Sequence, residues 1–168
     1  MTRAAEACAV CTLLLRNCQE ACFVNLRLFR QMLLVLLKDL LAIRSFELGV
    51  CLVDSGEITR LNESFLDHEG PTDVITFNYS ERGSTSVLHG DVFICMTEAV
   101  RQAREFGSTW QSELVRYAVH GVLHLQGYDD QQSDARRTMK RQEERLVKAL
   151  AKQFALRELG RKMNHRES

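Results

Sequence analysis

His120-Gly121-Val122-Leu123-His124-Leu125-Gln126-Gly127-Tyr128-Asp129-Asp130 places two histidines four residues apart. On a helix that spacing leaves them about 40° apart around the axis and ~6 Å along it, on one face. Both imidazoles can then reach one metal ion with bonds of ~2.0–2.1 Å. Gly127 follows where a helix C-terminus favours a left-handed residue, so the chain can turn back and aim Asp129 or Asp130 at the same ion. Two histidines and a carboxylate leave a coordination position open, as in catalytic rather than structural sites. Taken alone, the pair reads equally as one core and one surface histidine, and the rest of the chain has to decide.

Working outward, apolar periodicity predicts a helix over Trp110–Leu125, capped by Gly107-Ser108-Thr109, that carries both histidines. Upstream, Gly90–Met96 and Val74–Phe77 read as strands, and Thr97 is the expected N-cap of a helix to about Phe106. Phe46–Val53 is a strand closed by the turn Asp54-Ser55-Gly56, and Glu57–Phe65 is helical. Gln19–Leu41 has the apolar spacing of a broadly buried helix, and Leu13–Arg16 of a short strand. Downstream, Ser133 can cap a final helix to Leu159, which Gly160 ends. The polar segment Ser80–Ser86 is expected to be mobile, and residues 1–12 and 161–168 to be poorly ordered. Strands interleaved with helices predict an α+β fold in one domain spanning residues 1–168, its small mixed sheet mostly parallel because helices cross between strands.

Composition narrows the function classes. Lys and Arg (22) balance Asp and Glu (22), so a nucleic-acid partner would have to find a local basic patch. The apolar run Met32–Leu37 is far too short to span a membrane. The N-terminus reads as mature cytoplasmic sequence, because Glu6 and Arg16 flank the apolar run Cys8–Leu15 and no cleavage site follows. Cys8, Cys11, Cys18 and Cys22 form C-x2-C and C-x3-C pairs, but turn residues are missing around them. Reduced, partly buried thiols are expected there instead of a second metal site.

Three stretches together resemble the YbeY family. Pro71-Thr72-Asp73-Val74-Ile75-Thr76-Phe77 is similar to its PTDVLSF signature, Gly90-Asp91-Val92-Phe93-Ile94 to its GDI strand, and His120–Asp129 to its HGxLHLxGYD motif. The likeness covers roughly residues 45–150. It implies a zincin-like α+β fold with a metal site at the end of a helix. It also implies a metal-dependent endoribonuclease acting on ribosomal RNA precursors, particularly the 3′ end of small-subunit rRNA, and taking part in ribosome quality control. Ribosomal RNA and the small ribosomal subunit are the partners it implies.

The family pattern H-x3-H-x5-H implies zinc held by three histidines, and its third position falls on Asp130. His120, His124 and Asp130 are therefore the expected ligands, with Asp129 in a loop role. A carboxylate lowers the net charge of the centre and, as a harder donor, also suits iron or manganese. The arginine of the family's LNxxYR falls on Leu66, which cannot hold a phosphate. Arg60, His68 and Arg82 read as ordinary exposed residues, as do His89 and His165. Thr72 and Asp73 are expected at the substrate rim. Gly121 stands where an H-E-x-x-H peptidase needs its glutamate base, which argues against that mechanism. Two readings follow: a single-metal endoribonuclease, and a ribosome-associated binding protein whose catalysis has weakened, the second favoured by Leu66.

Overall fold

Glycine and valine meet at the centre of the architecture. In the computed structural model, which describes residues 9–80 and 87–161, a Cβ on Gly121 would lie 2.6 Å from Val92 Cγ1. The helix bearing the histidines, α4 (Trp110–Leu125), therefore rests directly on the sheet. That sheet has four strands: β1 (Cys11–Asn17), β2 (Phe46–Val53), β3 (Val74–Asn78) and β4 (Leu88–Cys95), in the order β1-β2-β4-β3. β1 pairs parallel to β2 and β2 parallel to β4, while β3 runs antiparallel to β4. The predicted mixed, mostly parallel α+β sheet is what forms.

Side-chain alternation gives the sheet two apolar faces. Leu48, Val50, Leu52, Val92 and Ile94 pack into the main core with α4, α1 (Leu26–Leu34) and α5 (Ser133–Gln153). Ile75 and Cys95 face the other way and are covered by Ile58 and Leu61 of α2 (Ser55–Leu66). α3 (Met96–Phe106) packs against α4. β2 and β4 both alternate buried with more exposed residues and end in two buried ones, so their second face is covered only toward the C-terminal end, where α2 packs.

Three expectations are corrected. The helix predicted from Gln19 begins at Leu26. Gln19 is buried and turns the chain locally, donating to Asn17 Oδ1 and the Cys22 carbonyl and accepting from Cys22 N–H. Asn25 then caps the helix by accepting from Leu28 N–H at 3.1 Å. The helix also widens into π-type turns over Val35–Leu40. Thr97 is not an N-cap: helix α3 starts at Met96, and the Thr97 hydroxyl accepts instead from Ser55 N–H at 3.2 Å. The final helix ends at Gln153, and Leu156–Gly160 forms a separate 3₁₀ turn.

Among the described residues, Cys11, Cys18 and Cys22 do not gather into one cluster. Cys11 lies on β1, Cys18 approaches Cys51 of β2 at 3.9 Å between sulfurs, and Cys22 is half-buried. Burial, reinforced by the Cys18 contact, pushes the Cys51 thiol up to about 12. Cys8, the predicted mobile segment from 81 to 86, and His165 lie outside the described residues, as do 1–8 and 162–168 of the termini expected to be poorly ordered. Among the described residues no helix is long and apolar enough to cross a membrane.

Gly121→Ala tests the close approach of helix to sheet. Its methyl group must push Val92 aside, so unfolding by denaturant should show a loss of about 1–3 kcal/mol. A midpoint equal to wild type would mean that α4 can lift freely from the sheet.

Candidate metal centre

The local sequence at the end of α4 builds the site. Gly127 takes φ +97°, and Tyr128 N–H donates to Leu123 O (3.1 Å) while Gly127 N–H donates to His124 O (2.9 Å). This paired closure requires the left-handed residue that glycine supplies without strain. It swings the chain back so that the Tyr128 carbonyl lies 3.0 Å from His124 Nδ1. Two residues further, Asp130 Oδ2 sits 3.4 Å from His124 Nε2 and 3.7 Å from His120 Nε2. The two Nε2 atoms are 3.0 Å apart. All three side chains are half-buried.

The outer ring nitrogens decide the tautomers. A peptide carbonyl has no proton to give, so His124 Nδ1 is the donor to Tyr128 O. His120 Nδ1 lies 2.8 Å from Glu143 Oε2, and Glu143 also accepts from Arg116 at 2.9 Å. Burial favours a protonated Glu143, but hydrogen bonds and charge from His120 and Arg116 outweigh it and hold the carboxyl below its usual range. Burial likewise lowers the pKa of His120, and the Glu143 hydrogen bond with the charges of Glu143, Asp73 and Asp130 more than reverses this.

When both imidazoles are neutral and donate outward, both Nε2 lone pairs and a carboxylate oxygen converge on one point. A cation fits that arrangement. Tetrahedral bonds of ~2.0–2.1 Å separate ligand atoms by about 3.3 Å. The three separations here, 3.0, 3.4 and 3.7 Å, bracket that value. Outer-shell hydrogen bonds to both histidines complete the pattern by which proteins orient metal ligands.

The other expected residues fall as follows. Asp129 accepts from Gln131 N–H at 2.9 Å and shapes the loop. Asp73 caps the start of β3 by accepting from Val74 N–H, and its charge reaches His120; Thr72 donates to it at 3.2 Å. Leu66 ends α2 and is 41% exposed. Its neighbour Phe65 packs edge-on against Phe77, on the sheet face opposite α4. Arg60 is held by Glu57, and His89 lies exposed beside Tyr79 and Glu47. Glu143 and Arg116 were missed as site residues. The signal was present, because Glu143 is the carboxylate within the apolar stripe Met139, Leu146, Val147 and Leu150 of α5.

The family model described as Endoribonuclease YbeY matches residues 17–151. The chain belongs to the YbeY family. An endoribonuclease YbeY of Elusimicrobium minutum is 38% identical over 103 residues, covering 60% of this chain and 72% of that protein. One from Gloeobacter violaceus is 38% identical over 120 residues, covering 68% of this chain and 62% of that protein. Part of each relative therefore lies outside the match. The fold agrees with a Thermotoga maritima protein solved in solution, at a TM-score of 0.64 and 24% identity over 93% of this chain and all of that one. This YbeY member is thus placed among endoribonucleases, hydrolases of RNA, with a His-His-Asp cluster at the end of α4.

Proposed function

We propose that this protein is a single-metal endoribonuclease of the cytoplasm that processes ribosomal RNA precursors. Its partners are the small ribosomal subunit and the 3′ end of that subunit's rRNA, and its wider role is ribosome quality control. The observation carrying the proposal is the convergence of three acceptor atoms, from His120, His124 and Asp130, in a chain of the endoribonuclease family. The ion is zinc, with iron or manganese admitted by the aspartate. When bound, it supplies Lewis acidity toward water or a phosphate oxygen. Glu143 and the Tyr128 carbonyl fix the two imidazoles, and Arg116 balances the buried Glu143 charge. Thr72 and Asp73 form the substrate rim.

Cleavage of a precursor carrying the small-subunit rRNA 3′ end, by chelated and metal-restored protein, tests this. Cutting only after metal is restored is expected. Equal cutting by the chelated protein, or none by either, overturns it.

Leu66 favours a second reading, a ribosome-bound member with weakened catalysis, because leucine cannot stabilise a phosphate where the family carries arginine. The variant Leu66→Arg separates the two. If wild type binds the subunit without cutting and the variant gains ~10²–10³ in rate, the size of one lost transition-state donor, the second reading holds. If wild type cuts and the variant changes little, the first holds.

A further inference from the structure

Net charge is zero over the whole chain, yet one surface departs strongly from that balance. The outward face of α5 carries Arg137, Lys140, Arg141, Arg145, Lys148 and Lys152, all exposed. Arg136, also exposed, adds a seventh cation at the N-terminal end, against the two exposed carboxylates of Asp134 and Glu144. Among the described residues none of these seven forms an ion pair. On α3, by contrast, Arg101 is clamped by Glu98 and Glu105 at 2.9 and 2.6 Å. A helical face normally laced by opposite charges at i,i+4 is here left almost single-signed.

The position of the face gives it a direction. α5 begins beside the metal centre, where Arg136 Nε donates to the Asp130 carbonyl at 2.9 Å. From Arg137 to Lys152 the stripe runs about 22 Å away from that end. Glu143, which holds His120, lies on the inner side of the same helix. A polyanion on the outer face can therefore reach the centre around the N-terminus of α5 without disturbing the ligands.

We propose that the outer face of α5 is a docking track for the phosphate backbone of RNA flanking the cleaved segment. This rests on the endoribonuclease reading and assigns its substrate a surface. Since the track faces away from Glu143, it acts on capture and register of the RNA and not on the bond-breaking step. Salt-sensitive binding follows, because each phosphate neutralised releases counterions.

The experiment uses the full chain and a fluorescent RNA hairpin with a single-stranded 3′ extension. Anisotropy is measured in chelator, so that nothing is cut, over a series of salt concentrations. Arg137→Glu, Arg141→Glu and Lys148→Glu combined should weaken binding at low salt by roughly tenfold or more, and the log–log salt slope should fall by about 2, near 0.7 per lost contact. Arg27→Glu, Arg60→Glu and Arg104→Glu combined impose the same net change on other exposed positions, and should cost much less. The milder Arg137→Gln, Arg141→Gln and Lys148→Gln set gives the same ordering if the reversal impairs folding, which thermal melting reports. In metal-restored protein the α5 variants should raise KM and leave kcat unchanged. Equal losses in both charge-reversal sets overturn the proposal, as does unaltered binding by the α5 set, absence of RNA binding by wild type, or displacement of RNA by anionic phosphatidylserine vesicles. RNA bound through α5 but never cut with metal present would instead overturn the nuclease reading and leave the track standing.

Discussion

His124→Ala protein, purified without a histidine tag, is expected to carry metal at near-zero occupancy and to lose RNA cleavage, while wild type carries both. His124 supplies the corner of the donor triangle nearest to both others, its Nε2 being 3.0 Å from His120 Nε2 and 3.4 Å from Asp130 Oδ2. Removing it leaves one imidazole and one carboxylate, too few for a stable site. The loss should exceed the ~10–100-fold in affinity or activity that removing an outer-shell partner costs. The fold should survive, because His124 is half-buried and the turn that follows is closed by backbone bonds from Gly127 and Tyr128. Circular dichroism unchanged beside metal near zero is the expected pair of results. Cleavage equal to wild type would remove the metal centre from the reaction.

How much of this was legible in sequence depends on whether the information was local. The α4 helix, its two histidines and the Gly127 turn lie within one short stretch, where helical periodicity and a glycine's left-handed preference operate directly. The strands were legible because short apolar runs are bounded by turn residues, as Asp54-Ser55-Gly56 bounds β2. The start of α1 was not, since an apolar face extending back to Gln19 resembles helix, while the buried Gln19 side chain instead bonds its own loop. The π-type widening over Val35–Leu40 leaves no periodic signature at that length. The partner of His120 lies 23 residues away on another helix, so only packing could reveal it. Similarly, it is only in the structure that the charges of α5 come to lie beside the Asp130 turn.

Glu143→Gln is expected to weaken metal binding by about 10–100-fold without abolishing it. Glutamine keeps an oxygen that can accept from His120 Nδ1–H, so geometry is largely retained. What disappears is the negative charge that increases the basicity of the ligand and pairs with Arg116 at 2.9 Å. Glu143→Ala should lose more, because the His120 ring then has no fixed orientation. Stability against pH provides a second readout in chelated protein, where the two shifts can be signed. Glu143 is held below its ordinary 4.5, so its contribution is present above that value and disappears as pH falls through its lowered folded pKa. His120 is raised above its ordinary 6.5, so its contribution is complete below that value and is lost as pH rises through its raised folded pKa. The metal-free melting temperature gains in full from both groups between about 4.5 and 6.5 and falls off progressively on either side, and Glu143→Gln should flatten both flanks together. A variant that keeps the wild-type pH profile while losing metal would show that Glu143 acts through the shape of the site, and that its pairing with His120 adds nothing to the fold.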